Sequence, residues 1–79
     1  MNLAEFYSKI DELLETDPGA IKGGDLLADL DMWDSLAVLS FIAMADKNYG
    51  VNIPAKRIAQ CRSVDDLAAV VAEFQLVSK

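Results

Sequence analysis

Apolar residues recur every three or four positions near the start of this chain, with charged residues between them, which is typical of an amphipathic helix. The predicted inward face is Leu3, Phe6, Tyr7, Ile10, Leu13 and Leu14, and the predicted outward face is Glu5, Lys9, Asp11, Glu12 and Glu15. Asn2 is a suitable N-cap with Glu5 as its capping-box partner, and Asp17-Pro18-Gly19 predicts the end of this first helix.

The most apolar stretch predicts a second helix from near Ser35 to about Tyr49, ended by Gly50 as a left-handed cap. The residues expected to face the core are Leu36, Leu39, Ile42 and Ala43, and those that widen the apolar face are Val38, Phe41, Met44 and Ala45. So broad a face indicates a helix that is central in the fold or partly exposed to a partner. We favour the core, and keep exposure open for Val38 and Met44.

The remainder of the chain predicts a short third helix and a longer fourth one. Pro54 suits a helix start, so a third helix is expected over about Ala55 to Gln60, with Ile58 as its anchor. Ser63 predicts a cap for the fourth helix, with Asp66 as its capping-box partner. The inward face of that helix is expected to be Val64, Leu67, Ala68, Val70, Val71 and Phe74.

These elements predict an all-α fold, a four-helix bundle of three longer helices and a short third one, in a single domain over residues 1–79. A long loop, residues 16–34, joins the first two helices. Its leucines, Leu26, Leu27 and Leu30, predict that it packs against the bundle and contains a short helical turn.

Charge and composition exclude several classes of function. Thirteen acidic against seven basic residues give a net charge of −6, which disfavours binding to nucleic acid or to an anionic membrane surface. With Cys61 as the one cysteine and no histidine, we expect no disulfide and no metal site. The sequence shows no apolar run of about 20 residues that would span a bilayer. We expect a cytoplasmic monomer.

Ser35, in the sequence Trp33-Asp34-Ser35-Leu36, is the residue with the most distinctive chemical setting. Without histidine it lacks the base that activates a nucleophilic serine, so we expect no catalytic activity. A helix N-terminus instead suits a serine that bears a phosphodiester. We interpret Leu36 as a core anchor that orients Ser35, and Trp33 as a residue that packs the loop against the bundle.

The triplet from Asp34 to Leu36 resembles the Asp-Ser-Leu signature of acyl carrier proteins. The resemblance extends to Leu30, to Tyr49-Gly50, to the link over residues 51–54 and to the start of the fourth helix over residues 63–67. It implies that a phosphopantetheinyl transferase, with a magnesium ion, joins Ser35 to 4′-phosphopantetheine from coenzyme A. The thiol of this arm then carries acyl groups as thioesters to acyl-transferring or acyl-modifying enzymes.

The same resemblance suggests roles for neighbouring residues. Asp34 is expected to cap the second helix and to contact the transferase. For Met32 and Met44 we favour plain packing and keep open a place in an acyl pocket. The second helix keeps only Asp46 where such carriers are usually acidic, and the third carries basic residues. Partner recognition is therefore expected at Val38, Asp46, Lys56 and Arg57.

This pattern predicts dedicated partners in a specialised fatty-acid, polyketide-like or other secondary pathway. Two alternatives stay open at this point. One is a carrier of aminoacyl or peptidyl groups, which uses the same chemistry at Ser35. The other is a helical interaction module without a prosthetic group, which grips a partner helix with the apolar face of its second helix.

Overall fold

The structure, a computed structural model, describes residues 2–17 and 19–77. Within those residues it contains four α-helices and one short 3-10 helix. In chain order they are α1 (Leu3–Leu14), the 3-10 helix (Leu27–Asp29), α2 (Ser35–Tyr49), α3 (Ala55–Ala59) and α4 (Val64–Val77). Both α2 and α4 pack against the other three α-helices, and α2 makes the more extensive contacts, so it is the central helix of the bundle. The predicted all-α four-helix bundle with a short third helix is confirmed.

The caps of α1 differ in part from the prediction. Asn2 accepts a hydrogen bond from the Glu5 backbone N–H (3.2 Å), as expected, while the Glu5 carboxylate lies 3.8 Å from the Lys9 ammonium group. The helix ends at Leu14, because Glu15 adopts a left-handed conformation with φ of 58°. Helix α1 therefore ends before Asp17-Pro18-Gly19, the segment predicted to end it. Pro18 of that segment lies outside the described residues.

The caps of the other long helices follow the prediction. The Asp34 carboxylate accepts from the Ala37 N–H at 2.9 Å, and Gly50 ends α2 with φ of 66°. At the start of α4, the Ser63 hydroxyl accepts from the Asp66 N–H (3.3 Å) and the Asp66 carboxylate accepts from the Ser63 N–H (3.2 Å). This reciprocal pair is the predicted capping box.

The core is built around three aromatic rings. Phe41 of α2 meets Phe6 of α1 edge to face at 6.1 Å between ring centroids, and Trp33 of the loop meets Phe41 at 6.1 Å as well. Trp33 thus packs the loop against the bundle, as predicted. The buried apolar side chains are Phe6, Ile10, Leu14, Ile21, Leu27, Ala37, Phe41, Ala45, Val51, Ile53, Ile58, Val64, Leu67, Ala68 and Val71.

Asp11 contradicts its predicted place on the outward face of α1, since it is only 4% exposed. Its carboxylate accepts hydrogen bonds from the Thr16 hydroxyl (2.8 Å) and from the backbone N–H groups of Gly19 (2.9 Å) and Ile21 (3.0 Å). The chain folds back over the end of α1 and supplies these donors, which offset the desolvation of a buried charge. Asp11 therefore organises the first part of the loop.

The second part of the loop is attached to the start of α4. The Gly23 and Asp25 carbonyls accept from the Asp65 and Val64 N–H groups, each at 3.0 Å. A Cβ at Gly23 would overlap the Asp65 carboxylate and the Tyr7 hydroxyl, so these side chains would have to shift to admit any other residue there. The predicted helical turn is present and buries Leu27, whereas Leu26 stays 49% exposed.

Replacing Asp11 by alanine is expected to lower the free energy of unfolding by about 2 kcal/mol, because part-buried N–H donors lose their acceptor. Urea unfolding followed by circular dichroism measures this change. The matched control is Glu12→Ala on the exposed side of the same helix, expected to shift the value by less than about 0.5 kcal/mol. Equal effects of the two substitutions would contradict the role of Asp11.

Candidate functional site

Ser35 is the first residue of α2 and is exposed. The preceding residue, Asp34, directs its carboxylate to the Ala37 N–H and so serves as the cap that the sequence predicts. This cap ends the loop and starts the helix at a defined point, which places the Ser35 hydroxyl beside the positive end of the helix dipole. The serine is thereby accessible while its backbone is held by a regular helix.

Leu36 contradicts its predicted role as a core anchor, because 73% of its surface is exposed. Leu39 is 62% exposed and Ala43 is exposed too, so the predicted inward face of α2 is wrong at three of its positions. The buried residues of this helix are Ala37, Phe41 and Ala45, spaced four apart. The large ring of Phe41 faces the core. When α2 is rotated about its axis so that Phe41 is buried, Leu36 and Leu39 face outward.

An apolar groove of about 630 Å³ lies between α2, α3 and the 3-10 helix, and Ser35 is one of the residues that line it. The others are Leu27, Ala28, Leu30, Trp33, Val38, Leu39, Ala55, Ile58, Ala59 and Cys61. Burial, together with the nearby Asp66 carboxylate, raises the pKa of the Cys61 thiol, so this group is uncharged at neutral pH. The lining therefore offers no charged side chain.

Neither Met32 nor Met44 lines this groove. Met32 is 41% exposed and borders a separate groove of about 350 Å³ between the end of α1 and the start of α2, which Leu36 also borders. Met44 packs half-buried against the core, which is the role favoured for it. The residues of α2 that line the apolar groove beside Ser35 are Val38 and Leu39.

The residues predicted to recognise partners have different surroundings. Val38 lines the groove, and Asp46 and Lys56 are exposed on α2 and α3. Arg57 is engaged within the protein, since its guanidinium lies 2.7 Å from the Glu73 carboxylate and 5.6 Å from the centre of the Phe74 ring. Sequence reasoning missed this contact because it joins two different helices, α3 and α4, and the packing of one against the other is not visible in local sequence. Partner recognition at these positions stays a prediction.

The segment of sequence that contains Ser35 is acidic. Residues 23–46 contain no lysine or arginine, and four aspartates precede the serine in this segment: Asp25, Asp29, Asp31 and Asp34. A phosphate at Ser35 would therefore gain no basic side chain from this segment, and the amides at the start of α2 would be its positive partners there.

Within residues 2–17 and 19–77, no helix is long and apolar enough to cross a membrane. In the same part of the chain, no group of three or more histidine, cysteine, aspartate or glutamate side chains is placed to hold a metal ion.

Fold and site together define a small helical bundle that presents one serine at the start of its central helix. A family model described as "phosphopantetheine attachment site" matches residues 5–71, and the chain belongs to this family. Its members carry 4′-phosphopantetheine as a covalent prosthetic group and, as carrier domains, generally have no catalytic activity of their own. Comparison with curated proteins and with solved structures gives no match.

The orientation of α2 predicts different effects for two apolar truncations. Leu36→Ala is expected to change the free energy of unfolding by less than about 0.5 kcal/mol, because the side chain is exposed. Phe41→Ala removes a fully buried ring and is expected to cost about 3 to 5 kcal/mol. Urea unfolding of both variants checks this. A decrease of more than about 2 kcal/mol in the free energy of unfolding of Leu36→Ala would indicate that Leu36 is buried and would contradict this orientation of α2.

Proposed function

We propose that Ser35 carries the 4′-phosphopantetheine group and that the chain is an acyl carrier protein without catalytic activity of its own. The observation that carries the proposal is the exposed Ser35 hydroxyl at the start of α2, on the lining of an apolar groove. A cytoplasmic location and a monomeric state belong to the same proposal. The single cysteine suits a reducing compartment.

The residues around Ser35 fit such a group. The Ser35 hydroxyl is exposed and can form a phosphodiester bond with the phosphopantetheine group. The amides at the start of α2 favour the negative charge of that phosphodiester. Asp34 holds the helix start in place through the Ala37 N–H. When attached, the prosthetic group supplies a thiol that carries acyl groups as thioesters.

Activation of the Ser35 hydroxyl is assigned to the transferase. The chain has no histidine, and the carboxylate of the preceding residue, Asp34, is occupied as the helix cap. The acidic segment from residue 23 to residue 46 suits a transferase with a basic surface, since opposite charges speed encounter and orient the partners. Leu36, exposed beside the serine, adds an apolar contact for the transferase or for acyl-transferring enzymes.

The groove favours an apolar acyl cargo over an aminoacyl one. Its walls come from leucine, alanine, valine, isoleucine and tryptophan side chains, which match a hydrocarbon chain. The ammonium group of an aminoacyl cargo would lose water there without finding a carboxylate partner, which is costly. A specialised fatty-acid or polyketide-like pathway with dedicated partner enzymes suits this cargo and the scarcity of acidic residues in the second half of α2.

The modification of Ser35 is tested by intact-mass analysis after incubation with coenzyme A, Mg²⁺ and a broad-specificity phosphopantetheinyl transferase. The native protein is expected to gain about 340 Da, the mass of one phosphopantetheinyl group. Ser35→Ala is expected to abolish the gain because the acceptor oxygen is removed. Ser40→Ala, at an exposed serine of the same helix, is the matched control and is expected to gain the full mass.

Absence of the mass gain in the native protein would refute the carrier function. A gain that persists in Ser35→Ala would place the attachment at another hydroxyl. Function that survives Ser35→Ala in its own host would favour the interaction module without a prosthetic group.

The cargo class is tested with protein loaded with an octanoyl or an alanyl group. Loading caps the thiol of the arm, so Cys61 is then the only free thiol, and it lines the groove. Octanoyl loading is expected to slow alkylation of Cys61 by iodoacetamide, because the acyl chain covers it. Alanyl loading is expected to leave the rate unchanged. Equal rates for the two forms, measured by mass spectrometry, would contradict the acyl assignment.

A further inference from the structure

Helix α3 forms one wall of the groove and is too short to hold its own position. It has five residues, fewer than an isolated helix needs to persist in water. Ile58 is its buried residue and anchors it in the core. Ala55 and Ala59, one helical turn apart, line the groove with small, exposed side chains. The position of α3 therefore depends on contacts to its neighbours.

Arg57 supplies such a contact, towards α4. Its guanidinium lies 2.7 Å from the Glu73 carboxylate, a distance typical of a charge-assisted hydrogen bond. The same group lies 5.6 Å from the centre of the Phe74 ring, within the range of a cation–π interaction. Two consecutive residues of α4 thus hold one side chain of α3.

The two sides of α3 therefore have different tasks. Ala55 and Ala59 line the groove shared with α2, whereas Arg57 is absent from that lining and reaches α4. A displacement of α3 relative to α4 changes the width of the groove, because α2 is held separately by Phe41 in the core. The contact of Arg57 is in the right place to limit that displacement.

We propose that Arg57 is a positioning residue whose contacts with Glu73 and Phe74 hold α3 as the wall of the groove and so set how open the groove is. The consequence for cargo rests on the proposed function, in which the groove shelters an acyl chain. Because the ion pair is partly exposed, salt screens it, and the groove opens more readily as ionic strength rises.

This role is separate from the predicted one in partner recognition, which stays a prediction for Arg57. A guanidinium already bound to a carboxylate and a ring has to break those contacts before it binds a partner. An exposed ion pair contributes little to the stability of a whole domain, but it acts here on a five-residue helix. A small interaction free energy is therefore enough to shift the local equilibrium of α3 while the bundle stays folded.

Cys61 provides a built-in reporter of the position of α3. It follows α3 and lines both the groove and a second pocket of about 380 Å³, between α3 and α4, that Arg57 and Glu73 also line. The experiment measures alkylation of Cys61 by iodoacetamide, an uncharged reagent, in the unmodified protein across a range of pH. The rate reached at high pH reports accessibility, and the midpoint of the profile reports the thiol pKa. The two readouts separate a displacement of α3 from a change in local charge.

Glu73→Gln removes the ion pair and retains Arg57. It is expected to raise the high-pH alkylation rate by about two- to fivefold at low salt, with urea unfolding nearly unchanged. The matched control is Glu5→Gln, which removes the exposed Lys9 pair on α1 and is expected to leave the rate as in the native protein. Salt at 1 M is expected to raise the native rate to that of Glu73→Gln and to leave the variant unaffected.

Equal high-pH rates in the native protein and Glu73→Gln would overturn the proposal. So would an equal rise in Glu5→Gln, a shift in the profile midpoint alone, or a rate in Glu73→Gln that tracks global unfolding. Because the protein in this experiment carries no prosthetic group, the outcome is independent of whether Ser35 accepts one.

Discussion

Phe41 packs edge to face against Phe6 of α1 and against Trp33 of the loop, and this contact sets the rotation of α2 about its own axis. Aromatic rings bury more area than the leucines of the same helix, so the ring occupies the core and the leucines turn outward. With this rotation, Ser35 becomes exposed and Leu39 reaches the groove. The accessible serine and the adjacent groove follow from one packing arrangement.

The loop between α1 and α2 is held at two places by hydrogen bonds. Near its start, the Asp11 carboxylate accepts hydrogen bonds from N–H groups of the loop. Near its middle, the carbonyls of Gly23 and Asp25 accept from the first amides of α4. These bonds satisfy groups that would otherwise be buried without partners. They hold in place the part of the loop that carries Leu27 and Trp33, and both of these side chains line the groove.

The groove combines a rigid wall with a weakly held one. On one side, α2 is central and its caps are complete at both ends. On the other side, α3 is a single short turn joined to the core by Ile58 and to α4 by Arg57. Elements with few buried contacts are those that open locally without unfolding of the domain. This asymmetry suits the proposed function, in which the groove shelters an acyl cargo and then releases it.

Much of the molecule could be predicted from local sequence. The helix spans and the caps at Asp34, Gly50 and Ser63 depend on residues within a few positions of each other, so they are visible in the chain. The family resemblance at Ser35 is equally local. Tertiary structure alone decided which apolar face of α2 is buried, because two overlapping faces satisfy the helical period and only the shape of the neighbouring helices selects between them.

The same distinction explains the remaining differences between prediction and structure. From the sequence alone Asp11 is a surface residue. It is buried in the structure because the loop folds back and supplies N–H groups that donate to its carboxylate. The contact of Arg57 with Glu73, at 2.7 Å, likewise depends on how α4 packs against α3, and partner recognition at Arg57 stays a prediction. By itself the sequence determined where each helix lies and which serine begins the second α-helix. The burial of Asp11, the rotation of α2 and the walls of the groove were decided by contacts between separate elements of the fold, which local periodicity does not encode.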